Sequence, residues 1–192
     1  MQKSSEREYP VLEVIEQRRS SRAYSDKIVE PEKIKALFEA ARWAPSSVNE
    51  QPWVYLYATK DQAALHQKIV NILMPGNIIW AHQAPLLIVA MARKNFSQND
   101  RPNGAAKYDL GAANAFLSLE ATRLGLNVHQ MGGFDREKAL LDLKIPTSHE
   151  AVVVIAIGYL GDINALPEDL RARELAPRQR NTQNSFVLNK EF

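Results

Sequence analysis

Arg18, Arg19 and Arg22 stand within a stretch of five residues, beside the hydroxyls of Ser20 and Ser21. Guanidiniums at that density make charge-assisted, partly bidentate hydrogen bonds to a phosphate, or to an anion that develops during a reaction. The same cluster would also serve as a solvated basic helix end, favoured by the helix dipole. Far down the chain Arg178-Gln179-Arg180 offers two more guanidiniums, which an extended backbone would turn to one side. Two further polar segments lie between. Ala44-Pro45-Ser46-Ser47-Val48-Asn49-Glu50-Gln51-Pro52-Trp53 is rich in groups that either satisfy a loop backbone or reach a ligand. Met131-Gly132-Gly133-Phe134-Asp135 carries a glycine pair, which lets a backbone approach a flat ligand and aim N–H groups at it, or simply turns the chain.

Several other chemistries lack their residues. The sequence has no cysteine, which removes disulfides, thiolate catalysis, iron–sulfur clusters and cysteine zinc sites together. His66, His82, His129 and His149 are scattered without metal-ligand spacing and read as surface or internally satisfied side chains. The glycine-rich dinucleotide fingerprint, the P-loop and the nucleophile elbow are missing. Arginines, serines, asparagines and glycines remain, a set suited to holding a cofactor that brings its own reactivity.

These residues must be placed by a layered fold. Val11, Leu12, Val14 and Ile15 predict a short amphipathic helix ending near Arg18. Pro31 opens a second helix, in which Ile34, Leu37, Phe38 and Ala41 share a face before Pro45 stops the pattern. Trp53 to Thr59 is aromatic and β-branched, as strands are, and Leu65, Ile69, Ile72 and Leu73 mark another helix. Pro85 to Ala92 is an almost unbroken apolar run, the pattern of a strand buried on both faces. A long helix follows from about Tyr108 to Leu124, stopped by Gly125. Leu126 to Met131 reads as a short strand, Asp135 as the N-cap of a helix through Leu143, and Ala151 to Leu160 as the last strand. From Gly161 the tail reads as polar and without a core of its own. Alternating helices and strands indicate a layered α/β or α+β domain.

The 192 residues suit one domain, residues 1–192, with a core burying about 70% of the unfolded chain's surface. Lys and Arg number 24 against 22 Asp and Glu, so a net charge of +2 gives no broad field for nucleic acid. The longest apolar runs, Ala84 to Ala92 and Ala151 to Ile157, fall far short of the ~20 residues that span a bilayer, and the segment Met1 to Glu8 is too polar for a secretory signal. The expectation is a cytoplasmic protein without membrane or nucleic-acid partners.

Taken in order along the chain, these segments resemble the nitroreductase family of flavoproteins. The resemblance rests on Arg18 to Arg22, Ala44 to Trp53, Tyr108-Asp109-Leu110-Gly111-Ala112-Ala113, Met131 to Asp135, Ile155-Ala156-Ile157-Gly158-Tyr159 and Arg178 to Arg180, and it covers about Val11 to Arg180. It implies an α+β fold with a central mixed β-sheet flanked by helices, in an intertwined homodimer. Residues 161–192 would form a C-terminal arm docking on the partner. It also implies FMN at the subunit interface and NAD(P)H as co-substrate.

By that similarity Arg18, Ser20, Arg178 and Arg180 would surround the FMN phosphate and ribityl chain, with Arg19 helping. Arg22 would be the cation beside the N1 and O2 edge of the flavin. The backbone at Met131, Gly132 and Gly133 would meet N5 and O4, and the Asn77 amide the pyrimidine edge. Pro45, Ser46, Ser47 and Asn49 would reach the flavin from the opposite subunit. Asn181-Thr182-Gln183-Asn184 departs from the basic or Pro-Leu continuation of related chains. The polar stretch Asn95 to Lys107, with Phe96, lies where the substrate pocket of relatives is often lined. The implied reaction is ping-pong electron transfer from NAD(P)H to nitroaromatic or quinone-type acceptors. No side chain would act as a catalytic nucleophile, Arg22 serving as electronic tuner. A specialised flavin reaction (dehalogenation, flavin breakdown or ring dehydrogenation) and a non-catalytic flavin-binding module are the alternatives.

Overall fold

The computed structural model describes residues 7–191. The first helix, α1 (Glu13–Gln17), buries no residue, and its Ile15 and the preceding Leu12 stay exposed. In α2 (Pro31–Arg42), Ile34, Leu37 and Ala41 form the buried face that the spacing predicts. Strand β1 (Trp53–Thr59) is followed by α3 (Ala63–Asn71) and α4 (Pro75–Ala81). The predicted helix around Leu65 therefore stops at Asn71, and Ile72 and Leu73 are buried just beyond it. The short helix α4, which no periodicity announces, starts at Pro75 and sends Trp80 and Ala81 into the core.

Strand β2 (Leu86–Arg93) is buried at every position but its last. Its odd and even residues feed two separate cores. Leu87, Val89 and Met91 meet Ile69, Trp80, Phe134 and Leu170 on one face of the sheet. Leu86, Ile88 and Ala90 meet Leu37, Leu110 and Leu117 on the other. A strand covered by helices on both faces reads as a continuous apolar run. The remaining elements are α5 (Ala106–Arg123), β3 (Asn127–Met131), α6 (Arg136–Asp142) and β4 (His149–Gly158). Asp135 caps α6 as expected, accepting from the Lys138 amide, and Gly125 ends the α5 turn at a φ of 74°.

The α+β class stands, but the sheet is not mixed. Its order is β1-β2-β4-β3, and all three neighbouring pairs are antiparallel. The reason lies in the connections. The helix pair α3–α4 returns the chain to the end of the sheet it left, where the Lys60 amide meets the Pro85 carbonyl at 3.0 Å. The single helix α5 does send β3 in the direction of β2, but β4 enters between them and pairs antiparallel with both.

The tail also differs from expectation. Beyond β4 it forms α7 (Glu168–Leu175), and Leu166 and Leu170 join the Trp80 core. One leucine within the helix and another just ahead of it, among charged neighbours, suffice to dock the segment on a core built by the rest of the chain. Residues 181–190 are exposed, with the Gln183 amide held 2.8 Å from the Glu8 carboxylate.

Candidate functional site

The arginines that open and close the sequence meet in space. The segment between α1 and Tyr24 runs beside the end of α7, so that Arg18, Arg19, Ser20, Arg22, Arg178 and Arg180 line one cavity of about 260 Å³. Arg178 Nη1 donates to the Arg18 carbonyl at 2.9 Å, and Arg18 Nη1 lies 3.2 Å from Ser20 Oγ. Burial first, and then neighbouring guanidiniums, push the pKa values of Arg18 and Arg178 down from the usual arginine range. The guanidinium charges persist at any working pH. Arg178 Nε is buried with no hydrogen-bond acceptor among the described residues. Converging cations with an unspent buried donor call for a multivalent anion, and a phosphate supplies both the charge and the acceptor oxygens.

Glu174, which the sequence reading did not single out, is the counterweight in this cavity. It is 4% exposed, its Oε2 accepts from the Arg22 amide at 3.1 Å, and the Arg22 guanidinium lies 3.8 Å from the same oxygen. Its backbone carbonyl accepts from Arg19 Nη2 at 3.1 Å. A signal was present: Leu170 and Glu174 stand four residues apart, which on a helix puts the carboxylate in line with a core leucine.

From this cavity the site continues along β3. The Ser21 carbonyl lies 3.1 Å from His129 Nδ1, and the His129 ring packs on Trp80 with centroids 4.6 Å apart. Burial, reinforced by the Arg22 charge, holds the His129 pKa down at about 4, so the ring is neutral near pH 7. Tyr24 donates to the carbonyls of Ser21 at 3.2 Å and Ala156 at 3.0 Å, which fixes the arginine segment to β4. Three residues along β3, about 10 Å at strand spacing, lead from His129 to Gly132.

At that end Asn77 meets the glycine pair. The Gly133 carbonyl accepts from Asn77 Nδ2 at 2.9 Å and from the Met74 amide at 3.1 Å. A Cβ on Gly133 would come 3.0 Å from Asn77 Nδ2, whereas one on Gly132 would meet nothing within 4 Å. Glycine at 133 is thus explained by packing within the chain. Glycine at 132 leaves an exposed backbone that a flat ligand could approach. Met131, buried, anchors the turn from below.

The segment after α2 belongs elsewhere. Ser47, Val48 and Asn49 are exposed, and Val48, Asn49 and Gln51 all adopt left-handed conformations, with φ of 47°, 57° and 52°. Two carboxylates fix that loop. Asp109, buried at the start of α5, accepts from the Ser47 amide at 3.1 Å. Glu50 accepts from Arg93 at 3.2 Å and from the Ser97 amide at 2.9 Å. Ser46 Oγ accepts from the Gln51 amide at 3.0 Å. Among the described residues, no hydrogen bond or ion pair joins Pro45, Ser46, Ser47 or Asn49 to the arginine cavity or to the glycine pair. Phe96 lies half-buried in a small hairpin closed by the Asn95–Pro102 bridge. No group of His, Asp and Glu suited to a metal occurs among the described residues.

Comparison with known proteins agrees with the motifs. The sequence profile of the nitroreductase family matches residues 15–79 and 72–159. A protein of Archaeoglobus fulgidus with the provisional name NADH dehydrogenase/NAD(P)H nitroreductase is 33% identical over 155 residues, covering 79% of this chain and 86% of its own. A solved oxidoreductase containing FMN superposes with a TM-score of 0.91 at 33% identity, over 97% of this chain and 95% of its own. A Desulfovibrio desulfuricans chain solved in complex with FMN gives a TM-score of 0.73 at 25% identity, over 97% and 99% of the two chains.

Proposed function

The chain belongs to the nitroreductase family, and from that premise we propose that it is an FMN-dependent oxidoreductase that takes electrons from NAD(P)H. The observation that carries this reading is the convergence of Arg18, Arg178 and Arg180, with the buried Arg178 Nε awaiting an acceptor. FMN, when bound, supplies a ring that takes up two electrons and passes them on. The protein supplies binding, orientation and charge.

Arg18, Arg19, Ser20, Arg178 and Arg180 are assigned to the phosphate and ribityl end. Arg22 is assigned to the ring edge where reduction leaves negative charge, which a preorganised cation stabilises. Gly132 leaves its backbone open to the ring, Gly133 continues that turn with its carbonyl held by Asn77 and Met74, and Met131 supports both. Asn77 orients Gly133 through its carbonyl and retains its amide oxygen for the ring's pyrimidine edge.

The loop of Pro45, Ser46, Ser47 and Asn49 is assigned to the cofactor of a partner subunit. Two features support a homodimer. The loop is fixed in a left-handed conformation while making no contact with its own chain's cavity. An apolar groove between α1, α2 and α5, lined by Val14, Trp43, Phe116 and Leu119, is open, with Trp43 70% exposed. Each chain then carries complementary halves of two sites.

Ping-pong order, in which NAD(P)H leaves before a nitroaromatic or quinone acceptor enters, follows if one open face serves both. The test begins with the purified protein, which is expected to be yellow and to release FMN on denaturation. Anaerobic NADH or NADPH should then bleach it rapidly. A protein that gains no thermal stability from added FMN, or an FMN complex bleached by neither donor, would overturn the reading.

A further inference from the structure

Glu174 is out of place in a phosphate site. Every other charged residue lining the cavity is an arginine, and a buried carboxylate there repels the anion that the arginines attract. Its burial is tolerated only because it is paired and hydrogen-bonded. Its pairings include Arg22 on two counts, through the backbone amide at 3.1 Å and the guanidinium at 3.8 Å. Both atoms of Arg22 engage one oxygen, so the backbone contact fixes where the carboxylate sits and the carboxylate fixes where the guanidinium starts. The helix that carries Glu174 is itself immobilised, because Leu166 and Leu170 are built into the Trp80 core. The facing segment is immobilised by the Tyr24 hydroxyl, bound to Ser21 and Ala156.

We infer that Glu174 is a positioning residue for Arg22, holding its guanidinium in place and offsetting part of its charge, so that bound FMN keeps a lower reduction potential. This rests on the proposed FMN site. A fully uncompensated Arg22 would stabilise the reduced ring more strongly and make it a weaker donor. With Glu174 beside it, the cation still orients the ring edge but exerts less of its charge. The carboxylate thus selects for a more reducing cofactor, and with it for harder-to-reduce acceptors.

The experiment is the midpoint potential of the FMN-loaded protein, measured by anaerobic dye equilibration for the parent and Glu174→Gln. Gln keeps an acceptor for the Arg22 amide and removes the charge. The expected result is a tenfold shift of the oxidised-to-reduced ratio toward reduced at a fixed potential, a rise of about 30 mV for a two-electron couple. An unchanged or lowered potential overturns the inference. In an Arg22→Gln background the carboxylate's own field remains but there is no guanidinium to position, so the same substitution should raise the potential by less; a shift of full size there overturns the positioning role. If Glu174→Gln fails to fold, Glu174→Asp retains the charge but withdraws it by one methylene, and a smaller rise is expected; no rise refutes the inference. A parent that binds no FMN defeats the proposed function and this inference together, whereas a yellow parent with an unmoved variant defeats this inference alone.

Discussion

The arginine cavity and the loop after α2 are both polar and both rich in side chains that hold ligands, yet the fold treats them oppositely. The arginines come from the two ends of the chain and are joined by contacts spanning about 150 residues, such as Arg19 to Glu174 and Arg178 to Arg18. Their backbone is ordinary, and their charges are crowded. The loop is local in sequence, its backbone is strained at Val48, Asn49 and Gln51, and its neighbours Asp109 and Glu50 hold it open to the outside. One region is a receptacle completed within the chain. The other is a probe presented away from it. Strain of this kind persists only where the surroundings over-determine it, and a loop held so firmly without contact to its own chain's cavity is suited to another chain's site.

Four measurements would break or sharpen that contrast. The largest effect is expected from pH on the receptacle side. His129 titrates at about 4 in the fold, because of burial and then the Arg22 charge, against about 6.5 unfolded. The unfolded chain therefore binds the extra proton first as pH falls, and stability present above 6.5 drains away toward pH 4. At ~1.4 kcal/mol per unit the loss approaches ~3 kcal/mol. Denaturant titrations across that range should show it, and His129→Gln should flatten the curve; an equally steep curve in the variant would free His129 of the role.

Next in size is Arg180→Ala. Losing a charge-assisted contact of about 1.5–3 kcal/mol should weaken FMN binding to the apo protein by roughly 10- to 100-fold, read by fluorescence titration. Equal affinity would mean that the cavity does not hold the phosphate. On the probe side, Asp109→Ala leaves the Ser47 amide without its acceptor and should cost about 1 kcal/mol of thermal stability. It should also weaken FMN retention, and a mixed dimer that pairs an Asp109→Ala chain with an Arg180→Ala chain should keep one normal site, because both defects then fall on the same cofactor. Retention lost at both sites of such a mixed dimer would show that the loop serves its own chain. The smallest effect is expected from Val48→Gly. A β-branched residue at a φ of 47° is strained by about 1–2 kcal/mol, and relief minus the entropy cost of glycine should leave a gain of about 0.5–1 kcal/mol in stability. A loss instead would mean that Val48 is held by packing that the single chain lacks.

How far the sequence could be read follows from the range of the forces involved. Strand β1 was legible to the residue, and α2, α5 and the capped α6 nearly so, because apolar period, Pro31, Gly125 and Asp135 act over a few residues. Helix α4 was not, since its seven residues show no amphipathic period and it exists because Trp80 has a core to enter. The polar tail hid α7 for the same reason. The mixed sheet was expected from the family resemblance alone; β2 and β3 do run in one direction, but that β4 slips between them is a property of the sheet as a whole.

The sequence by itself determined which residue types were available: five arginines at the two ends, a glycine pair, a serine-rich loop and no thiol. Composition and local spacing are sufficient for that, because donor chemistry belongs to the side chain wherever it sits. Only the tertiary structure decided that the distant arginines share a cavity, that Glu174 stands among them, that Asn77 holds the second glycine, and that the loop turns its back on all of them. Those are outcomes of burial. Docking α7 through Leu166 and Leu170 brings Glu174 and Arg178 to Arg18 and Arg22, and no local rule connects residues more than 150 positions apart until the core that they share has formed.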